Sequence, residues 1–108
     1  MAYIGTPVVR HHCLQLPNDT AHIELDTPAW FLWLQTATRF SYALGRPTYY
    51  NLTFRHEKRR HGLYWYAYLK VDSKLHNAYA GRSPDLTVLR MVQLAQKLLD
   101  TVKAKGEP

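Results

Sequence analysis

The sequence predicts an α+β domain: a three- to four-stranded antiparallel sheet packed on a C-terminal helix, with a short N-terminal helix and an extended N-terminal arm. Three observations predict it. Leu63–Val71 is dense in β-favouring aromatic residues and alternates between two kinds of side chain. Asp72-Ser73 separates it from a second strand-like run at the length of a two-residue hairpin turn. After Ser83, a long run carries apolar side chains at helical spacing.

The arm covers residues 1–26 and the domain residues 27–104. The arm has mixed polarity, contains Pro7 and Pro17, and holds two short strand-like pieces, Pro7–Arg10 and His22–Leu25. A helix start follows: Thr27 can cap, and Pro28 suits the first helical position, where its missing N–H costs nothing. Trp30, Phe31, Trp33 and Leu34 give this helix a large apolar face before it ends near Thr36. Arg39–Leu44 reads as a strand, Gly45-Arg46-Pro47 as a turn, and Tyr49–Glu57 as an alternating strand. Lys58–Gly62 reads as a basic connection into Leu63–Val71, and Lys74–Ala80 as the return strand that Gly81 stops. In the last element Ser83 is placed as cap and Pro84 at the first helical position. Val88, Met91, Val92, Ala95, Leu98, Leu99 and Val102 form its apolar stripe, which needs the sheet as a partner.

At 108 residues the chain has the length of one domain, able to bury a modest core without metals or disulfides. Its single cysteine, Cys13, excludes an intrachain disulfide and fits a reducing, cytoplasmic setting. No apolar run approaches the roughly 20 residues that span a bilayer, and no secretory signal is expected.

The formal net charge is +6. It is concentrated: Arg55, Lys58, Arg59, Arg60, Lys70, Lys74 and Arg82 face only Glu57 and Asp72 over the same stretch. Clustered cations favour a polyanion, because each phosphate neutralised releases condensed counterions. Alternation along Leu63–Val71 puts Trp65, Ala67 and Leu69 on one face, fit for burial under the helix, and Tyr64, Tyr66, Tyr68 and Lys70 on the other. Tyrosines there can stack on sugar or base and donate to phosphate. The competing arrangement covers them with the arm and the Trp30/Trp33 helix as a second core layer. With His76, these residues make the candidate nucleic-acid-binding set: Arg55, Lys58, Arg59, Arg60, Tyr64, Tyr66, Tyr68, Lys70, Lys74, His76 and Arg82. A two- or three-stranded ribbon bearing them fits the major groove of B-DNA.

The stretches Phe54–Arg60, Tyr64–Tyr68, Lys74-Leu75-His76, Tyr79, Gly81-Arg82-Ser83 and Asp85-Leu86-Thr87, with Leu25–Phe31 upstream, resemble a segment of small bacterial proteins. The same segment heads some large LuxR-type regulators, mainly in cyanobacteria and Chloroflexi. Its layout is similar to the arm-type DNA-binding domain of tyrosine recombinases and to the plant AP2 domain. The resemblance covers roughly Leu25 to Leu99 and implies DNA binding; the reading that follows is a duplex-DNA-binding domain serving as accessory or regulator of a mobile element or defence system. Two positions depart from it: Ala80 replaces a large apolar residue, and Leu69 replaces a cation.

Enzymatic readings find little. His11, His12 and Cys13 are adjacent, and adjacent residues rarely converge on one metal ion. No phosphate loop, GxSxG turn or HExxH motif occurs, and the acidic residues are too scattered for a Mg²⁺ nuclease. The expectation is a non-enzyme without metal or cofactor. Duplex DNA is the expected partner. RNA, or an acidic protein surface met by an interaction module or inhibitor subunit, are the alternatives.

Overall fold

The computed structural model describes residues 6–17, 21–44 and 50–106, with the side chains of the last helix described to Lys103. In chain order these residues form β1 (Val8–Arg10), β2 (Cys13–Gln15), β3 (His22–Glu24), α1 (Pro28–Thr36), β4 (Arg39–Ala43), β5 (Asn51–Arg59), β6 (Gly62–Val71), β7 (Lys74–Gly81), a 3₁₀ turn (Ser83–Asp85) and α2 (Val88–Gly106). The expected turn at Gly45-Arg46-Pro47 and the strand start at Tyr49 lie outside the described residues.

The strands make one sheet in the order β3-β2-β1-β4-β5-β6-β7. All neighbours are antiparallel except β1 and β4, which run parallel with Val8 opposite Ser41 and Val9 opposite Tyr42. This overturns the expected three- to four-stranded antiparallel sheet with an extended arm: the sheet is mixed and seven-stranded, and the arm supplies three of its strands. Strands of three residues are too short to show a period of two. They hold only as additions to a sheet that exists without them. The strand missed altogether, β2, follows a turn built by His11 and His12 with φ of 50° and 66°. Histidine enters the left-handed region more readily than most residues, but it is a weaker turn signal than glycine or asparagine.

Helix α1 begins as its residues dictate. The Thr27 hydroxyl accepts from the Trp30 amide at 3.3 Å, Pro28 opens the helix, and Ala37 leaves it for extended backbone. Helix α2 starts later than its apparent cap. Ser83 is buried, its hydroxyl accepts from Trp65 Nε1 at 3.0 Å and donates to the Leu34 carbonyl at 3.3 Å, and Pro84 lies in the 3₁₀ turn. The indole in the core claims the hydroxyl that a cap would need. Thr87 Oγ1 caps instead, accepting from Arg90 N at 3.1 Å, and Asp26 Oδ1 accepts from Val88 N at 2.9 Å across 62 residues of sequence.

Both helices contribute to one core on one face of the sheet. Val9, Leu14, Phe40, Leu52, Phe54, Trp65, Ala67, Leu69 and Ala78 point into it from the strands, Trp30 and Leu34 from α1, and Met91, Leu94, Ala95 and Leu98 from α2. The buried stripe of α2 includes Leu94, which the sequence reading left out, and leaves Val92 46% exposed. Small side chains let α2 lie close to β7: Ala78 and Ala80 are both buried. Ala80 is the extra residue of an irregularity in the β6–β7 register, where Tyr66 pairs with Tyr79 but Trp65 pairs with Gly81. Arg90 donates to the Ala80 and Tyr79 carbonyls at 3.2 and 3.0 Å, satisfying the backbone there. Leu69 is buried too, so a cation at that position would have lain in the core rather than on a binding face.

Candidate nucleic-acid interface

Period-two alternation sends every second side chain of the sheet away from the helices, and register sets those side chains in rows. One row runs Arg39, Arg55, Tyr66, Tyr79 across β4, β5, β6 and β7. The next runs Ser41, Thr53, Tyr68, Asn77. No helix among the described residues lies over these rows, because both helices pack on the opposite face. Tyr64, Tyr66 and Tyr68 are half-buried by their neighbours on the sheet, and Lys70 is exposed.

The tyrosines carry arginines. Arg59 lies over the Tyr66 ring at 4.5 Å from its centroid, Arg82 over Tyr64 at 5.5 Å and Arg55 over Tyr68 at 5.7 Å. A guanidinium is attracted to the negative face of a ring, so each pair holds a cation over a tyrosine. Hydrogen bonding by the neighbouring tyrosine, Tyr66 for Arg59 and Tyr64 for Arg82, pushes both guanidinium pKa values further above their ordinary range. Tyr79 packs against Tyr64 and Tyr66 with centroids 6.0 and 5.5 Å away, closing the cluster. Glu57 sits among these cations, its carboxylate accepting from Arg59 and from the Tyr68 hydroxyl. Burial first, then this hydrogen bond and the nearby carboxylate charge, raise the Tyr68 pKa above its ordinary value.

The structure sorts the eleven candidate residues. Arg55, Arg59, Tyr64, Tyr66, Tyr68, Lys70 and Arg82 gather on or beside the open face. Lys58, Lys74 and His76 alternate to the helix side, Lys58 and Lys74 at exposed strand ends. Arg60 occupies the exposed turn between β5 and β6. The expected basic connection Lys58–Gly62 is mostly strand: β5 runs through Arg59 and β6 begins at Gly62, leaving only Arg60 and His61 as the turn. Sequence reasoning missed Arg39 and Tyr79. Each shares a phase with its own strand's outward residues, but only the pairing of strands shows that they meet the cluster.

The β5–β6 ribbon outruns both neighbours. On one side β4 ends its ladder at Arg39 opposite Arg55, with a last backbone bond from His56 N to Thr38 O at 2.9 Å. On the other side β7 ends with Gly81 opposite Trp65. Glu57–Tyr64 therefore run past both neighbouring strands as a two-stranded ribbon, exposed from Lys58 through Leu63, with Gln35 and the Arg82–Pro84 segment across a shallow hollow from its β6 edge. Three residue pairs at about 3.4 Å each carry it roughly 10 Å past the sheet. At its base His56 stacks on Trp65 with centroids 4.4 Å apart, and its Nδ1 lies 3.0 Å from the Ala37 carbonyl, which anchors the ribbon to the core.

Among the described residues no three His, Cys, Asp or Glu side chains gather as metal ligands would, and no helix is long and apolar enough to cross a membrane. Compared with protein-family models, curated proteins and solved structures, the chain matches none of them.

Proposed function

We propose that the chain binds double-stranded DNA, with the β5–β6 ribbon in the major groove and the arginines of the open face against the flanking phosphates. The observation that carries this reading is the projection of the ribbon, with Lys58, Arg59 and Arg60 at its end. Seven strands at about 4.8 Å spacing make a sheet roughly 30 Å wide, too broad for a groove about 12 Å across. A two-stranded ribbon fits, and its reach of roughly 10 Å matches a groove about 8.5 Å deep. Paired with arginines, the tyrosines work as platforms that hold guanidinium groups rather than as bare stacking surfaces, which favours backbone contact over reading of bases. The deep, narrow major groove of duplex RNA does not admit such a ribbon.

Titration against duplex DNA, single-stranded DNA and duplex RNA at two salt concentrations tests the proposal. Duplex DNA should bind most tightly, with affinity falling steeply as salt rises. Neutralising Lys58, Arg59 and Arg60 together to Gln should flatten the slope of log K against log salt by about three. Equal binding to all three nucleic acids, an unchanged slope in the triple variant, or no binding would overturn it. The last result would direct attention to an acidic protein partner.

A further inference from the structure

Strand β7 ends the sheet, and the ladder fixes which of its backbone groups have no strand beside them. His56 N bonds Thr38 O, so His56 turns its backbone to β4 and its pair with Trp65 is unbonded. Bonded and unbonded pairs alternate, so the next pair, Arg55 with Tyr66, is bonded, and Tyr66, Tyr68 and Lys70 all turn their backbone to β5. Their partners on β7, Tyr79, Asn77 and Leu75, therefore turn N–H and C=O to the outer edge. Two observations agree with this phase. The tight Asp72-Ser73 turn, with φ of 51° and 65°, is closed by Val71 and Lys74, which the same alternation makes a bonded pair. Arg90 reaches the outward Tyr79 carbonyl at 3.0 Å and, at the register shift, the Ala80 carbonyl at 3.2 Å. The outward row is thus bounded by a turn at one end and by Arg90 at the other. Its side chains share the open face and carry no charge: Leu75 is 58% exposed, Tyr79 50%, and Asn77 is exposed between them.

We infer that β7 is a seam between two copies of this chain, paired antiparallel with Asn77 of one against the partner's Asn77. In this register every outward residue meets another outward residue, and Leu75 faces the partner's Tyr79 on both sides of the two-fold axis. A shift by two residues sets Tyr79 against the turn at Ser73, or Leu75 against Gly81 beyond the register shift. That self-match commits the edge to a second copy rather than to an unrelated extended segment. The Tyr79 carbonyl can accept from Arg90 and from the partner's Leu75 N–H together, since a carbonyl oxygen has two lone pairs. Paired residues point to the same face, so the two sheets join with the helices on one side and both tyrosine–arginine faces on the other. The seam stands whether or not the chain binds DNA. It is weak: the row is short, each copy carries a net charge of +6, and Lys74 comes near the partner's Arg90.

Short seams give concentration-dependent association, so sedimentation equilibrium is run from about 10 µM to about 1 mM. The apparent mass should climb from that of one chain toward twice that value. Asn77→Pro removes an N–H that β6 does not use, and proline is tolerated on an edge strand in that position. This variant should melt near the wild type and keep the single-chain mass throughout. A second pair of variants decides the matter if Asn77→Pro disturbs the fold. In a Cys13→Ser background, Asn77→Cys places two thiols on a bonded pair with Cα atoms about 5.5 Å apart, within disulfide reach. Oxidised glutathione should convert it to a covalent dimer, and should leave Lys70→Cys, on the same face one strand inward, mostly as single chains. A single-chain mass for the wild type up to the highest concentration overturns the seam. So does a folded Asn77→Pro variant that associates like the wild type, or equal cross-linking of the two cysteine variants.

Discussion

On the helix-covered face of the sheet, Phe40 stacks on Phe54 with centroids 4.9 Å apart, and Trp30 and Trp65 meet Phe40 at 5.4 and 5.3 Å, all four rings fully buried. On the open face, rings of similar number meet arginines. The indole N–H groups of the fully buried Trp30 and Trp65 find the Leu86 carbonyl and the Ser83 hydroxyl. The tyrosine hydroxyls of the open face have Glu57, the His61 carbonyl and solvent within reach. An aromatic-rich strand is therefore not by itself a core strand or a binding strand. Strand β6 is both, one residue at a time. Polarity of the ring edge decides which face can stay uncovered, because a buried polar atom without a partner is costly.

The sharpest way to break this contrast is to empty one site on each face. Trp65→Ala should cost about 3–5 kcal/mol, the range for removing a buried aromatic side chain. Tyr66→Phe should cost less than about 0.5 kcal/mol, as for ordinary surface changes. Urea denaturation of both variants measures this. Similar losses would mean that the tyrosine face is structural rather than open.

Gly81 sits at the seam between the faces, in the register shift beside Ala80. Its φ is +115°, and a Cβ there would lie 2.7 Å from Asp85 Oδ2, the oxygen that accepts from Arg82 N. Gly81→Ala should cost on the order of 1–3 kcal/mol. It should also weaken duplex binding, since it disturbs the segment that carries Arg82. A melt within a degree of wild type would show that the seam tolerates an ordinary side chain.

Asp26 belongs wholly to the covered side, where it ties the segment before α1 to the start of α2. Removing it as Asp26→Ala should cost about 1 kcal/mol, the usual value for a lost helix cap, with duplex affinity per folded molecule unchanged. A change in affinity at constant stability would place Asp26 with the binding surface instead.

The smallest effect separates two tyrosines, one per face. Burial raises the Tyr42 pKa above its ordinary 10.0, and Tyr68 is raised by burial and then by Glu57. Both shifts favour the neutral phenol in the folded state, so their contribution to stability is complete below pH 10 and is lost as the pH climbs past the raised values. In an ultraviolet titration of single Tyr→Phe variants, Glu57→Gln should bring Tyr68 back toward the ordinary value and leave Tyr42 where it was. Equal movement of both would show that the carboxylate is not the local cause.

Period and capping are local properties, and they were legible in the chain. The Thr27-Pro28 start of α1, the Asp72-Ser73 turn, and the split of β6 into Trp65/Ala67/Leu69 and Tyr64/Tyr66/Tyr68 all follow from neighbours a few positions apart. Partnership is not local. That β1 would lie parallel to β4, and that Ser83 would serve Trp65 rather than α2, depended on residues distant in sequence. The candidate site divides along the same line. Its tyrosines and cations could be named from alternation and charge. The stacking of Arg59 on Tyr66, the opposition of Arg39 to Arg55 and the projection of the ribbon were decided by strand register, which is set by packing across the sheet.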